Sequence, residues 1–282
     1  MHRIAPLLLL LAACSTTTSV PQTPPPADLP ETVSASPCNP GHTILNATLY
    51  VQSAAEFRAA SLQTFALARR ALDEALADPT RVGALEETVE APSQPPALIV
   101  DLDETVLDNT AFEARVIRAG KTYDGKTWKE WTAEGAATAI PGALPFLAYA
   151  KSRGVTVFYI SNRDEDERPG TRLNLQRLGF PFQTDVETLL LRDGSTDKSG
   201  RRAQVASSYR VLLLAGDDLN DFANTREKSW QERQDLVNRM ESWWGTRWFM
   251  LPNPMYGSWE NAAIASGGTP CERVERKVGV LK

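Results

Sequence analysis

The chain has 282 residues and a net charge of −5 at pH 7, and 42% of its residues are hydrophobic. This length is enough for one sizeable α/β domain with an accessory cap, and the acidic balance argues against a surface for nucleic-acid polymers. Only two histidines and three cysteines are present, which excludes a histidine-rich zinc site and leaves little room for covalent chemistry at histidine or cysteine.

The amino terminus carries the pattern of a secretory signal, MHRIAPLLLLLAAC. Arg3 precedes an apolar run, Leu7–Leu11, that is too short to span a membrane as a mature helix. The ending Leu-Ala-Ala-Cys resembles the lipobox of bacterial lipoproteins, in which cleavage precedes the cysteine and its thiol receives a diacylglyceryl group. We therefore expect residues 1–13 to be a lipoprotein signal peptide and Cys14 to carry the lipid; an ordinary secretory signal with an incidental cysteine is the alternative. Ser15 is not acidic, which in such proteins implies the outer membrane of a Gram-negative bacterium, on its periplasmic or its outer face.

A disordered tether is predicted over residues 14–44, because the stretch from Ser15 to about Cys38 is rich in Thr, Pro and Ser and has little to bury. With Cys14 assigned to lipid, Cys38 and Cys271 remain, and a disulfide between them would persist in an exported protein. The sequence does not decide whether this bridge forms.

The folded domain is expected over residues 45–282. A long helix is predicted over Gln52–Asp78, where apolar residues recur at three- and four-residue intervals until Pro79 stops the pattern. We assign this helix to packing and not to chemistry. The segment Glu86–Pro96 is acidic and rich in proline, which is typical of a connector.

A continuous apolar run, Ala97–Val100, is typical of a central parallel strand that is buried on both faces. It leads directly into Asp101 and Asp103, whose charge would be costly in the core without a metal or another partner. In an open α/β sheet ligands bind at the carboxyl ends of the strands, so these two residues are candidates for the functional site. The structural alternative is an Asx-rich turn in which Asp103 or Thr105 caps the next helix.

The motif Asp101–Thr105, DLDET, is similar to the D-x-D-x-T signature of the haloacid-dehalogenase phosphatases. The resemblance implies an α/β fold with a Rossmann-like core, a central parallel sheet and a mostly helical cap. In that superfamily the first aspartate is the nucleophile and the second is the general acid/base. These roles would fall on Asp101 and Asp103.

A polar and aromatic segment, YDGKTWKEW, follows a predicted helix over Phe112–Arg118 and interrupts the alternation of strands and helices. The superfamily places a cap over the active site at this point. The resemblance therefore implies a cap formed by residues of about 45–95 and an insertion at about 110–140, which contains Trp128 and Trp131. The structural alternative is that both tryptophans only fasten the cap to the core.

A second buried strand is predicted over Val155–Ile160, and it leads into Ser161, Asn162 and Arg163. Ser161 resembles the second superfamily motif, in which a hydroxyl donates to a phosphoryl oxygen, although a serine after a strand is more often a helix cap. We assign Asn162 and Arg163 to substrate binding. The acidic run DEDER, residues 164–168, is interpreted as a solvated loop and not as a metal site.

A short predicted strand, Thr188–Leu191, is followed by Asp-Lys-Ser at the start of a helix. The lysine, Lys198, resembles the third motif, whose ammonium neutralises the nucleophile and the transferring phosphoryl group. Arg192, Arg201 and Arg202 compete for this role, and Lys198 is preferred because it matches the family's Asp-Lys-Ser.

Two further carboxylates, Asp217 and Asp221, follow a predicted strand over Val211–Ala215. Carboxylates that converge from different strand ends repel one another without a cation, and Mg²⁺ is the expected hard partner. The pair resembles the D-x-x-x-D form of the fourth motif, and with DLDET it matches the four-aspartate pattern of the class C acid phosphatases. The family's ligands would be carboxylate oxygens of Asp101 and Asp217 and the backbone carbonyl of Asp103, with Asp221 fixing water at the metal.

The segment Phe249–Tyr256, FMLPNPMY, completes a resemblance to the lipoprotein e family of outer-membrane acid phosphatases and nucleotidases. It implies hydrolysis of nucleoside 5'-monophosphates and aryl phosphates through an aspartyl-phosphate, with Trp128 and Tyr256 stacking on the nucleobase or aryl ring. One departure is Asp218-Leu219-Asn220, where the family usually has Asn-Leu-Asp. A non-catalytic surface binding or adhesion lipoprotein with the same fold is the alternative. The assembly is left open, with a homodimer as one candidate.

Overall fold

The centre of the fold is a parallel sheet of five strands. The computed structural model describes residues 38–87, 91–183 and 185–282. Within these residues the strands are, in chain order, β1 (Pro96–Val100), β2 (Leu107–Asp108), β3 (Thr138–Ala139), β4 (Thr156–Asp164), β5 (Leu189–Arg192), β6 (Arg210–Gly216) and β7 (Trp248–Met250). The sheet has the spatial order β5-β4-β1-β6-β7, while β2 and β3 pair separately.

The strand β1 lies in the middle of the sheet, as its apolar sequence predicts. Val100 pairs with Tyr159 of β4 on one side and with Ala215 of β6 on the other. Because successive side chains of a strand point to opposite faces, Leu98 and Ile99 belong to two different apolar clusters. The predicted α/β fold with a central parallel sheet is confirmed.

Helices cover both faces of the sheet. The helices of the described residues are α1 (Leu45–Ser53), α2 (Ala55–Ala77), α3 (Thr110–Arg118), α4 (Gly125–Glu134), α5 (Ala143–Ser152), α6 (Arg168–Leu178), α7 (Ser199–Ala206), α8 (Trp230–Arg239), α9 (Ser258–Ile264) and α10 (Pro270–Val280). On one face of the sheet α2 packs against α5, β6 and β7. On the other face α7 packs against β4 and β6. Among these helices none has both the length and the apolar character that crossing a membrane requires.

The long helix predicted over Gln52–Asp78 is in fact divided at Ala54, whose backbone is extended (φ −76°, ψ 126°). No glycine or proline marks this break in the sequence. Its physical reason is packing, because α1 contacts α3 whereas α2 contacts α5. The helix α2, which the predicted cap includes, buries Phe65 and Leu72 in the same cluster as β1, and the division of the chain into core and cap stays a prediction.

The folded region begins earlier than predicted. Residues Pro40–Ile44 form a short 3-10 helix. A Cβ added at Gly41 would lie 2.8 Å from the carbonyl oxygen of Ile117, so this segment packs closely against α3. The tether predicted over 14–44 is therefore wrong from residue 38 onward. Its earlier part, the predicted signal peptide and the lipidation site lie outside the described residues.

A disulfide joins Cys38 to Cys271 of α10, with the two Cα atoms 5.8 Å apart. The sequence left this bridge open, because the two cysteines are 233 residues apart and only the fold brings them together. The 3-10 helix Pro40–Ile44 also contacts α10. The beginning of the described chain is thus fastened to its last helix.

The strand β4 is longer than predicted and runs to Asp164, so Ser161 and the two residues after it lie within the strand. The acidic run 164–168 is not a loop, which corrects the prediction. It ends β4, forms one helical turn over Glu165–Glu167 and begins α6. The backbone N–H of Asp164 donates to the carboxylate of Glu167 at 2.6 Å, which shows that these acids cap a helix end.

The antiparallel pair of β2 and β3 closes the base of the segment that contains α3 and α4. This segment corresponds to the insertion predicted at about 110–140. Its helix α4 packs against α6, which follows β4. The insertion is thereby held next to the carboxyl end of β4.

Candidate active site

Four polar side chains meet at one edge of the sheet. Asp101 follows β1, Asp217 follows β6, Ser161 lies near the end of β4, and Lys198 precedes α7. Parallel strands end at the same edge, which is why residues from separate motifs converge there. All four line one cavity of about 900 Å³.

The turn after β1 is held by its own hydrogen bonds. The carbonyl of Leu102 accepts from the backbone N–H groups of Val106 and Leu107 at 2.9 and 2.8 Å. Within this turn Glu104 has a left-handed φ of +60°, which is uncommon for a residue with a side chain. Its buried carboxylate accepts from the backbone N–H of Asn109 at 3.0 Å. This contact holds the turn in a conformation that its sequence alone does not favour.

Asp101, Asp217 and Asp221 form an acidic cluster, in which one carboxylate oxygen of each residue lies within 4.8 Å of the other two. Burial raises the pKa of Asp101 to about 7 and also raises the pKa of Asp217, and the neighbouring carboxylates add to the effect. A Cβ at Gly216 would overlap the side chain of Asp221, so glycine permits this close packing. Buried carboxylates at this spacing are the oxygen donors that a hard divalent cation binds, and the cluster could hold a metal ion.

Lys198 is buried and lies against the cluster. Its ammonium donates to a carboxylate oxygen of Asp101 and to Asp221 Oδ1, the latter at 2.6 Å. Burial alone would lower the pKa of Lys198, but the charges of the two carboxylates outweigh burial and raise it. Among the described residues, it is the only Lys or Arg side chain that forms an ion pair with these three carboxylates.

The three arginines that compete with Lys198 in the sequence are engaged elsewhere. Each has its own partner: Arg192 pairs with Asp164, Arg201 donates to Asn162, and Arg202 pairs with Glu86. Lys198, and not one of these arginines, is thus the cation that contacts the acidic cluster, and its catalytic role stays a prediction.

The carboxylate of Asp103 lies outside the acidic cluster and has different partners. Arg163 Nη2 donates to its Oδ1 at 2.6 Å and Arg163 Nε to its Oδ2 at 3.1 Å, which forms a forked ion pair. Asn109 Nδ2 donates to the same Oδ1 at 2.9 Å. A further nitrogen of the buried Arg163 donates to Thr171 Oγ1 at 3.0 Å, so the fork is itself fixed.

The residues assigned to substrate binding beside Ser161 use most of their polar atoms within the protein. Asn162 donates to the carbonyl of Thr196 at 3.0 Å and accepts from Arg201 at 2.6 Å. Arg163 is committed to Asp103 and Thr171. Both line the cavity, and their contact with a substrate stays a prediction.

Sequence reasoning missed two side chains that orient Asp217. Thr105 Oγ1 donates to Asp217 Oδ1 at 3.1 Å, and Asn253 Nδ2 donates to Asp217 Oδ2 at 2.8 Å. Thr105 is the last letter of D-x-D-x-T, but the sequence suggests only a helix cap for it. Asn253 lies in the FMLPNPMY segment, and the family resemblance assigns no role to this residue.

The two tryptophans of the insertion have different surroundings. Trp131 is buried, and its Nε1 donates to Asn109 Oδ1 at 2.8 Å, so it fastens the insertion to the turn after β1. Trp128 lines the cavity and packs edge-on against Phe112 with ring centroids 5.1 Å apart. Tyr256 lines the same cavity. The structural alternative thus holds for Trp131, while Trp128 is available to a ligand.

Asp218, the acid that departs from the family pattern, does not join the cluster. Its carboxylate accepts from the backbone N–H of Ser258 at 2.6 Å and from the hydroxyl of that residue. It therefore connects the loop after β6 to the start of α9.

Residues 42–259 match the model of one family, described as HAD superfamily, subfamily IIIB (acid phosphatase). Acid phosphatase 1 of Solanum lycopersicum is 29% identical over 158 residues, which are 56% of this chain and 57% of that protein. The chain thus spans little more than half the length of this curated relative.

Two solved structures share the fold over most of the chain. The class C acid phosphatase from Bacillus anthracis is similar with a TM-score of 0.78 and 34% identity, covering 87% of this chain and 99% of that one. The structure of the class C acid phosphatase from Bacillus anthracis with tungstate bound gives a TM-score of 0.77 and 34% identity, covering 86% and 98%.

Proposed function

The chain belongs to subfamily IIIB of the haloacid-dehalogenase superfamily, the acid phosphatases, and on that premise we propose that it hydrolyses phosphate monoesters by covalent catalysis at Asp101. The observation that carries the proposal is that two neighbouring carboxylates have separate partners. Asp101 is held by Lys198 within the acidic cluster, whereas Asp103 is held by Arg163 outside it. This separation suits one carboxylate for attack and the other for proton transfer.

In the first step an oxygen of Asp101 attacks phosphorus, the bond to the leaving oxygen breaks, and Asp103 gives that oxygen a proton. The products are the free alcohol and an aspartyl-phosphate. In the second step water attacks phosphorus, Asp103 takes the water's proton, and Asp101 leaves as a carboxylate. The ammonium of Lys198 offsets the negative charge that otherwise repels the nucleophile, and the hydroxyl of Ser161 donates to a phosphoryl oxygen.

The residues of the acidic cluster fit a magnesium ion. Three carboxylates face a single ammonium there, so one further cation would balance the charge. Asp101 and Asp217 would hold it with carboxylate oxygens and Asp221 would fix water at the metal, while the family resemblance adds the backbone carbonyl of Asp103. When bound, Mg²⁺ supplies positive charge that neutralises the phosphoryl group.

The favoured substrates are nucleoside 5'-monophosphates and aryl phosphates. The cavity of about 900 Å³ extends well beyond the carboxylates, and Trp128 and Tyr256 both line it. Stacking of a planar ring on an aromatic side chain contributes about 1–3 kcal/mol per base and tolerates different rings. We therefore expect a broad preference for esters with a planar leaving group.

The protein is further proposed to be an outer-membrane lipoprotein anchored through Cys14, on the strength of the Leu-Ala-Ala-Cys pattern. A homodimer stays a prediction. Neither proposal affects the chemistry at Asp101.

Phosphate release from a panel of nucleotides, aryl phosphates and alkyl phosphates tests the proposed function. The wild-type enzyme should release phosphate, exhaustive EDTA treatment should abolish the release, and Mg²⁺ should restore it. Asp101→Asn is the inactive control for contaminating phosphatases. Full turnover after EDTA treatment would refute the metal site. Absence of phosphate release from every monoester would refute the phosphatase and favour a non-catalytic binding protein.

A further inference from the structure

Glu113 of α3 is a buried carboxylate in the wall of the same cavity. The residue is 5% exposed and lines the cavity together with Asp101, Lys198 and Trp128. Among the described residues its carboxylate has neither a hydrogen-bond donor nor an ion-pair partner. It is therefore an acceptor that faces the cavity and that the protein leaves unused.

Such a carboxylate is unfavourable in the folded protein. Burial raises the pKa of Glu113 to about 7. Glu113 lies in the first turn of α3, where the helix dipole favours an acid. That benefit is available to an exposed side chain as well, so it does not explain why this one is buried at the cavity wall.

Cationic side chains elsewhere in the cavity lining do not neutralise Glu113. Lys277 and Arg273 line the cavity, but both pair with Glu260, at 2.6 and 3.2 Å. Lys121 also lines the cavity, and its side chain is exposed and forms no ion pair with Glu113. Glu260 of the cavity lining thus has two cationic partners, while Glu113 has none among the described residues.

We propose that Glu113 is a specificity residue that accepts hydrogen bonds from N–H or O–H groups on the leaving group of the substrate. The enzyme would then prefer phosphate monoesters of donor-bearing alcohols, such as nucleosides, over esters of similar size without donors. This inference rests on the proposed phosphatase function. Its physical basis is that a buried polar group left without its partner discriminates strongly against an analogue that lacks the donor.

The experiment compares kcat/KM for phenyl phosphate, which has no donor on its leaving group, with adenosine 5'-monophosphate and analogues that lack the amino group or one sugar hydroxyl. In the wild-type enzyme, removal of the donor that meets Glu113 should lower kcat/KM by about ten- to a hundredfold. Glu113→Ala should abolish this difference and leave phenyl phosphate little changed. Glu260→Gln is the matched control, because it removes the same charge from the lining of the same cavity and should not alter donor preference.

Two outcomes overturn the inference without touching the phosphatase function. One is a wild-type enzyme that hydrolyses phenyl phosphate but whose kcat/KM for the nucleotide does not change when any of the tested donor groups is removed. The other is a Glu113→Ala variant whose kcat/KM falls by the same factor on all substrates. That result would mean that Glu113 affects the fold or the electrostatic potential of the whole cavity. If the variant does not fold, the question is decided by measuring how strongly adenosine and its donor-deleted analogues inhibit the hydrolysis of phenyl phosphate by the wild-type enzyme. Adenosine should then bind at least tenfold more tightly than its weakest donor-deleted analogue, and equal binding refutes the proposal.

Discussion

Arg163 and Asn109 both hold the carboxylate of Asp103, and Arg163 binds both of its oxygens in a fork. We predict that Arg163→Lys lowers kcat for an alkyl phosphate by about ten- to a hundredfold, because a lysine cannot reproduce the fork that holds the proton donor. An aryl phosphate with a good leaving group needs less protonation and should lose less. Steady-state kinetics on both esters measure the difference.

Arg202→Lys is the matched control for this prediction. Arg202 forms a similar fork with Glu86, and the exposed fractions of the two side chains, 1% and 18%, equal those of Arg163 and Asp103. It does not line the cavity. We expect this variant to lower stability without a dependence on the leaving group. Equal losses on alkyl and aryl esters in Arg163→Lys would contradict a positioning role.

Glu87 makes stability depend on pH at a site away from the cavity. Its Oε1 accepts from the backbone N–H of Val211 at 2.6 Å, while its Oε2 is buried without a partner. Burial raises its pKa to about 7 from the usual value of 4.5. The folded protein thus holds this proton more tightly than the unfolded chain does. Its contribution to stability is complete below the usual value and is lost as the pH rises through about 7.

The variant Glu87→Gln keeps a hydrogen-bond acceptor and cannot ionise. We therefore expect it to melt a few degrees above the wild type in mildly alkaline buffer, and the gain should shrink in acidic buffer; about 2–4 °C corresponds to 1 kcal/mol for a domain of this size. Thermal melts of both proteins across this pH range provide the measurement. Parallel pH profiles for the two proteins would exclude Glu87 as the cause.

At the level of elements, the strands that end in the site could be predicted from the sequence. Apolar runs before Asp101, Ser161 and Asp217 mark the strands β1, β4 and β6, and motif spacing selects the side chains that follow them. Contacts between distant segments could not be predicted in the same way. The hydrogen bond from Asn253 to Asp217 joins residues 36 positions apart, and no periodicity encodes it.

Two other features of the elements depend on tertiary packing. The break at Ala54 exists because α1 and α2 have different partners, and alanine itself favours a continuous helix. The burial of Glu113 follows from the face that α3 turns toward the cavity. From the sequence alone, an acid in the first turn of a helix is expected to be exposed at the surface.

The disulfide ties Cys38, two residues before the 3-10 helix Pro40–Ile44, to Cys271 of α10, and both of these helices contribute residues to the cavity lining. We predict that Cys38→Ser with Cys271→Ser lowers the free energy of unfolding by about 2–5 kcal/mol, because the bridge closes a very long loop in the unfolded chain. Denaturant titrations with and without a thiol reductant measure the effect. The free energy of unfolding of the double variant should be the same with and without the reductant. A wild-type protein whose free energy of unfolding is also unchanged by the reductant would contradict the prediction.

For the whole molecule, the described residues from Cys38 to Lys282 form one compact unit. The residues proposed to be catalytic all lie within it, so the proposed membrane anchor should be separable from activity. We predict that Cys14→Ser moves the enzyme from the membrane fraction to the soluble fraction with kcat/KM unchanged, because the acyl chains of a mature lipoprotein supply its membrane affinity. Cell fractionation followed by a phosphatase assay tests this. Recovery of the wild type in the soluble periplasmic fraction would refute the anchor.

The central claim, covalent catalysis at Asp101, is tested most directly by trapping the aspartyl-phosphate. Asp103→Asn removes the base that activates water, whereas 4-nitrophenyl phosphate needs no acid to leave. Mixing this variant with that ester should give a burst of one nitrophenolate per active site. Mass spectrometry of the acid-quenched protein should then find the phosphoryl group on Asp101. Adding Asp101→Asn to this variant should abolish both signals. A phosphoryl group on another residue, or steady phosphate release without a burst, would contradict the account.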